Sequence, residues 1–288
     1  MSRYDVAVIG TGPGGISAAI TLNNRNKNTI LFGRKNLSEK IEKGHTIRNY
    51  PGLPDITGPG LMKAFSDHLN AMGIEINEDR IQMIYDMGDY FSILGEDSSN
   101  MYEASAVIIA TGVVTGGTLP GEEEFLGKGV SSCATCDAAL FKGKDVIVLG
   151  YAGDAAAECA FLAETSGSVT YFPMNGKLAD VPEGVNVVNE KPLEILKDGR
   201  MTVKTGENKY EADGVFVLRD AVPPGRLVPG LEVDGAHIAV DRSMKTNIPG
   251  LFACGDITGT PYQYVKSAGE GNVAALSAAA FLDSTGRK

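Results

Sequence analysis

Residues 4–22 constrain the fold more than any other stretch. Tyr4–Ile9 is an apolar run of strand type, Gly10-Thr11-Gly12-Pro13-Gly14-Gly15 follows it, and Ile16–Leu22 has the composition of a helix. Strand, glycine-rich turn and helix in that order make the first half of a βαβ dinucleotide-binding unit. Gly10 permits the tight turn, Gly12 lets backbone approach a pyrophosphate, and Gly15 lets the helix pack close to its strand. The helix N-terminus then offers N–H groups and the positive end of a dipole to phosphate. Thr29–Phe32 reads as the second strand, but Gly33-Arg34 stand where an acidic residue would grip the adenosine ribose.

Further segments extend this frame. Arg48-Asn49-Tyr50-Pro51-Gly52 precedes a helical stretch from Gly60 to Met72, and Ile81–Tyr85 with Tyr90–Leu94 alternate as a small β excursion. Ala106–Ala110 is another buried strand, ending in Ala110-Thr111-Gly112. Gly250–Asp256 reads as strand then turn, and places Asp256 to accept hydrogen bonds from a sugar or ribitol hydroxyl. Ser267-Ala268-Gly269-Glu270-Gly271 opens an Ala-rich helix that runs through Leu282. A helix N-terminus aimed at a flavin pyrimidine stabilises its anionic reduced form.

The chemistry sits at Cys133-Ala134-Thr135-Cys136-Asp137. Two cysteines two residues apart can close and reopen a small disulfide ring. Exchange runs through a thiolate, so one cysteine is expected to be accessible and to ionise readily. Asp137 follows at once and is placed to move the proton that each exchange step needs. A structural zinc site would need four ligands. The other cysteines, Cys159 and Cys254, are isolated, and His45, His68 and His237 show no metal spacing. An iron–sulfur cluster lacks grouped thiols for the same reason. Cys159 on an Ala-rich helical face and Cys254 after an apolar strand are expected to be inert core residues.

The whole-chain numbers agree with a two-domain redox protein. A length of 288 residues fits two domains on a prior of roughly 100–200 residues each. Apolar content of 43% supports real cores, and a net charge of −10 argues against nucleic acid as a partner. No stretch approaches the ~18 apolar residues of a membrane span. Val6–Ile9 passes straight into the Gly-rich loop, so no secretory signal is expected. Four cysteines with one adjacent pair fit a reducing, cytoplasmic setting.

In order and spacing, the Gly-rich loop, Asn49-Tyr50-Pro51-Gly52, Ala110-Thr111-Gly112, Cys133–Asp137 and Gly250–Asp256 together resemble the low-molecular-weight thioredoxin reductases over essentially the whole chain. The resemblance implies an α/β fold of two Rossmann-like three-layer domains, the second inserted into the first. It implies an FAD-binding domain from residues 1–115 and 245–288 and an inserted redox domain at 116–244. It implies FAD held by Gly10, Gly12, Pro13, Gly14, Gly15, Asn49, Ala110, Thr111, Gly112, Gly255, Asp256, Gln263, Tyr264 and Ala268. Cys136 then faces the flavin, Cys133 attacks the thioredoxin disulfide and Asp137 carries the proton. The family is usually homodimeric, and its two domains usually rotate. Tyr264 stands where the family often has alanine; stacking near the isoalloxazine and ordinary packing both stay open.

The inserted domain of the family binds NADPH, and here this sequence departs from it. After the strand Asp145–Leu149 the loop Gly150-Tyr151-Ala152-Gly153-Asp154-Ala155 carries Ala152 at the central glycine of G-x-G-x-x-A, with the Tyr151 ring beside it. After Ser168–Phe172, Met174, Asn175 and Ala179 stand at the three arginines that hold the 2′-phosphate; Lys177 is one cation without their fork, and no acid replaces them to grip an NADH ribose unless Asp180 turns inward. Arg219-Asp220 replace the family's Ile-Gly after the strand Val215–Leu218. Each lost guanidinium forfeits charge-assisted bonds of roughly 1.5–3 kcal/mol.

With the flavin elements and thiol pair retained, the chain is most similar to the ferredoxin-dependent flavin thioredoxin reductases. That resemblance implies reduced ferredoxin as the one-electron donor to FAD and thioredoxin as the acceptor. Lys35, Lys40, Lys43 and Arg48 are one candidate docking cluster, weighed against ordinary solvated surface charge. Other readings stay open: an NADPH- or NADH-dependent reductase with an atypical pocket, a different donor or second flavin beside Tyr151, and a flavin-bound redox protein that is not an enzyme.

Overall fold

The structure, a computed structural model, describes residues 3–42, 46–96, 99–113, 119–122, 124–152, 155–176, 181–219 and 224–287, without the side chains of Glu39, Lys40 and Cys136. The chain divides into two compact units, one made of Met1–Val113 and Pro223–Lys288, the other of Val114–Val222.

The first unit opens with β1 (Tyr4–Ile9), α1 (Pro13–Asn24), β2 (Thr29–Phe32), α2 (Glu39–Glu42), α3 (Gly58–Ala71), β3 (Ile76–Asn77), β4 (Met83–Asp86), β5 (Phe91–Leu94) and β6 (Met101–Ile109). The strands form one sheet in the order β3-β2-β1-β6-β5-β4. β1 runs parallel to β2 and β6, with Ile9 opposite Phe32 and Ile109. β5 runs antiparallel to the first half of β6, so the β4–β5 ribbon is a side branch on an otherwise parallel sheet. Val6, Val8, Ala106 and Ile108 alternate onto one face, where α1 covers them with Ile16, Ala18, Ala19 and Leu22. That burial, at about 25 cal/mol per Å² of apolar surface, fixes the sheet register.

The second unit contains β7 (Val130–Ser131), α4 (Ala134–Asp137), β8 (Asp145–Gly150), α5 (Ala155–Thr165), β9 (Ser168–Phe172), β10 (Asn186–Val187), β11 (Glu194–Asp198), β12 (Arg200–Lys204), β13 (Lys209–Ala212) and β14 (Gly214–Leu218). Its parallel sheet has the order β10-β9-β8-β14-β7, and β11-β12-β13 form a separate antiparallel sheet. Alternation along β8 separates two cores. Val146 and Val148 face α5 with Cys159 and Leu162, while Ile147 and Leu149 face Ile195, Met201 and Val203 of the antiparallel sheet. Helix, parallel sheet and antiparallel sheet are therefore three layers.

The chain then returns to the first unit through α6 (Pro224–Leu227), β15 (Val233–Asp234), β16 (His237–Ile238), β17 (Leu251–Ala253) and α7 (Tyr264–Thr285). β17 joins the second half of β6, Leu251 opposite Val107. The sequence reading carried the insertion to residue 244, whereas the structure places 224–244 with the first unit. Hydrogen bonds explain this: Glu232 N–H donates to Asn247 Oδ1 at 2.9 Å, and Asn247 Nδ2 donates to the Gly230 carbonyl at 2.9 Å. α7 crosses α1 at a contact of glycines. A Cβ on Gly271 would lie 2.0 Å from the Gly14 carbonyl oxygen, so only glycine permits the crossing.

Candidate active site

In the first unit, the expected flavin residues converge on the start of α1. Gly10 has φ +121°, and a Cβ there would lie 2.3 Å from the Ala110 carbonyl oxygen; a Cβ on Gly15 would lie 1.8 Å from the Gly10 carbonyl oxygen. These contacts bring Gly10, Gly15 and the Ala110-Thr111-Gly112 turn together. Gly12 is the N-cap of α1, with Pro13 in the first turn and no side chain capping it. Nothing of the described chain lies within 4 Å of a Cβ on Gly12. An uncapped helix start beside open space fits a pyrophosphate.

The other side of this site comes from the chain's return. Gly14 packs on Cys254 and on the Ser267 carbonyl. Ser267 Oγ donates to Asp256 Oδ1 at 3.1 Å, which orients the carboxylate expected to hold the ribitol. Glu270 accepts from the Gly255 N–H at 2.9 Å, and Lys266 Nζ reaches the Gly259 carbonyl at 2.7 Å and Glu270 at 3.3 Å. Lys266 and Glu270 thus tie the Gly255-Asp256 turn to α7. Sequence reading missed this network; the i,i+4 spacing of the pair was its one signal. Asn49 Nδ2 donates to Gln263 Oε1 at 2.7 Å, so these two expected ligands are brought together; Ala268 is half-buried one turn into α7. Tyr264 packs with Ile41, Ile47, Leu61 and Tyr50, and burial raises its phenol above the ordinary value. The donor set fits FAD.

The second unit carries the thiols. β7 leads directly into the redox segment, and Ala134 and Ala138 anchor that segment in the core beside Ala155 and Cys159. Cys133 is disulfide-bonded, while Cys159 and Cys254 are free. Cys133 is only 3% exposed, and its Sγ lies 3.4 Å from Thr135 Oγ1. The side chain of Cys136 lies outside the described residues. Asp137 Oδ2 accepts a 2.6 Å hydrogen bond from Ser131 Oγ. Burial pushes the Cys159 thiol up to about 12, and burial with the nearby Glu270 carboxylate raises Cys254 too. Neither is a thiolate at neutral pH.

The described part of the second Gly-rich loop is bonded to the chain itself. The N–H groups of Tyr151 and Ala152 both donate to the Leu218 carbonyl, at 2.8 and 3.0 Å, and Ala152 is fully buried. Asn175, at one lost arginine position, donates through Nδ2 to the Ala152 carbonyl at 2.5 Å and through its backbone to Gly150 at 3.2 Å. Arg219 is 3% exposed, pairs through both terminal nitrogens with the buried Glu122 carboxylate, and stacks 4.5 Å above the Tyr151 ring. Burial is the main cause that raises the Tyr151 phenol. Among the described residues of this loop, the Tyr151 and Ala152 N–H groups are already bonded and are not free to bind a dinucleotide pyrophosphate. Lys177, Ala179, Asp180 and Asp220 lie outside the described residues. Of the candidate docking cluster, Lys35 pairs with Glu78 at 3.1 Å and Arg48 with Asp55 at 3.0 Å; Lys43 and the Lys40 side chain lie outside the described residues.

Comparison with known proteins places this geometry in context. The family profile described as pyridine nucleotide-disulphide oxidoreductase matches residues 4–271. A thioredoxin reductase of Listeria monocytogenes is 32% identical over 302 residues, covering 97% of this chain and 94% of the relative. The crystal structure of a ferredoxin-flavin thioredoxin reductase from Clostridium acetobutylicum is 47% identical and superposes with a TM-score of 0.91, covering 100% of both chains. A thioredoxin reductase structure from Gloeobacter violaceus is 27% identical with a TM-score of 0.78, covering 98% of this chain and 95% of that one.

Proposed function

The chain belongs to the pyridine nucleotide-disulphide oxidoreductases, within them to the thioredoxin reductases, and from that membership we propose that it is a flavoprotein that reduces thioredoxin with electrons from reduced ferredoxin. The observation that carries the choice of donor is the start of the second loop: Leu218 takes the Tyr151 and Ala152 N–H groups, and Arg219 is buried between Glu122 and Tyr151. The similarity to the Clostridium acetobutylicum ferredoxin-flavin thioredoxin reductase supports the same donor.

Bound FAD supplies a centre that takes up electrons singly and passes them on as a pair. The chain's own residues do the rest. The Cys133–Cys136 bond takes the electron pair through Cys136. Cys133 then attacks the thioredoxin disulfide, forming one intermolecular S–S bond and releasing one thioredoxin thiolate. Cys136 attacks Cys133 Sγ, which re-forms the internal disulfide and frees the second thioredoxin sulfur. Asp137 donates the proton that neutralises a released thiolate and regains it from solvent. A homodimer working in the cytoplasm completes this reading.

The test is an anaerobic titration followed by flavin absorbance. Bleaching by chemically reduced ferredoxin, with none by NADPH or NADH at millimolar concentration, is the expected result. Prompt bleaching by NADPH overturns the choice of donor. Cys133→Ser is expected to abolish thioredoxin reduction while leaving the bleaching by ferredoxin in place.

A further inference from the structure

Ser131 Oγ lies at the centre of the redox segment, 2% exposed, and makes three contacts. It accepts from the Cys133 N–H at 3.1 Å, and it faces two acceptors, Asp137 Oδ2 at 2.6 Å and the Cys133 carbonyl at 3.2 Å. A serine hydroxyl has one hydrogen and two lone pairs, so it serves one of those acceptors at a time. At 2.6 Å the hydroxyl is placed to donate to the Asp137 carboxyl, a bond that is strongest when the carboxyl is ionised. The Cys133 carbonyl is not orphaned when the hydrogen points at Asp137, because it also accepts from the Asp137 N–H at 3.3 Å. When Asp137 is protonated, its O–H can donate to the free lone pair of Ser131 while the serine hydrogen turns to the Cys133 carbonyl. Both arrangements leave the Ser131 hydroxyl, the Cys133 N–H and carbonyl, and Asp137 Oδ2 with a partner.

We propose that Ser131 is a positioning residue for proton transfer at Asp137, its hydroxyl hydrogen following the charge of the carboxylate. The inference rests on Asp137 being the proton carrier. In the step concerned, the Asp137 carboxyl loses one proton, a released thiolate gains it, and the Ser131 hydrogen rotates from the Cys133 carbonyl to Asp137 Oδ2. The carboxylate that forms thereby gains a charge-assisted donor from Ser131. Thr135, whose hydroxyl approaches the Cys133 sulfur, is a separate contact and does not substitute for it.

The experiment mixes dithionite-reduced holoenzyme with excess oxidised thioredoxin and follows flavin reoxidation across pH. A lost donor disfavours the carboxylate, so the limb of the pH–rate profile that reports Asp137 is expected to move to higher pH in Ser131→Ala, by about one pH unit. Ser131→Thr and Ser131→Val have the same shape and separate hydroxyl from packing. The threonine variant is expected to return the limb to its wild-type position and the valine variant to displace it as alanine does. An unmoved limb in both alanine and valine variants overturns the role of Ser131. Asp137→Asn is expected to abolish the limb; if the limb persists there unchanged, the proton-carrier reading falls and this inference with it.

Discussion

Arg219 keeps its charge inside the second unit because Glu122 and Tyr151 surround it. Removing one member of a buried ion pair strands the other, at a cost of about 3–5 kcal/mol. Glu122→Ala is therefore expected to lower the urea midpoint strongly, and Glu122→Leu with Arg219→Met to recover most of the loss. Equal destabilisation in the single and double variants would show that the pair is not the cause. The departure at Arg219 was legible in the sequence, but its partner was not. Glu122 is 97 residues away and opens a run of three glutamates that reads as solvated surface. Ser131 was missed for a different reason: a serine two residues before a cysteine carries no motif, and only its contacts reveal it. The two free thiols were read correctly as buried. Their raised values mean that Cys159 stays protonated through neutral pH. Its contribution to stability is present below the ordinary thiol value of 9.0 and is lost as pH rises toward about 12. Native enzyme reduced at pH 8 is expected to leave Cys159 and Cys254 unlabelled by iodoacetamide, and denatured enzyme to label both.

The crossing of α1 and α7 serves the site and the core at once. Gly271→Ala would drive a methyl against the Gly14 carbonyl, and the backbone offers no rotamer to relieve it. An expected loss of about 1–3 kcal/mol, with FAD released on gel filtration, follows from forcing the helices apart. Gly12→Ala meets no described atom of the chain, so it is expected to fold with wild-type stability in the apo form and still bind FAD more weakly. Equal apo stability of the two variants would contradict this division of labour. At this scale the sequence was informative wherever apolar runs were long. The longer strands β1, β2, β6, β8, β9, β14 and β17, the β4–β5 ribbon and α7 were all visible, whereas the two-residue strands β3, β7 and β10 were not. The antiparallel sheet β11-β12-β13 was not, because strands such as Lys209–Ala212 are half exposed and carry charges among their apolar residues. The return point near residue 223 was also hidden, since hydrogen bonds made by Asn247, one accepted from Glu232 and one donated to Gly230, set it rather than any break in composition.

Across the whole molecule the net charge is −10, and the described cations of the candidate docking cluster, Lys35 and Arg48, are already paired. These two cations therefore offer little steering to an acidic partner. Raising salt from about 10 to 100 mM shortens the screening length from roughly 30 to 10 Å. Flavin bleaching by ferredoxin is expected to hold steady or quicken over that range; a steep slowing would reveal a complementary basic face elsewhere. Thioredoxin meets a different obstacle, because Cys133 is 3% exposed and must be uncovered before another protein's disulfide can reach it. The same covering insulates the circuit. Small disulfides such as oxidised glutathione are kept from the Cys133 sulfur and draw no reducing equivalents through it, and small thiols are likewise kept from reducing it. The cover on Cys133 acts as a fuse box door: current leaves only when the door opens.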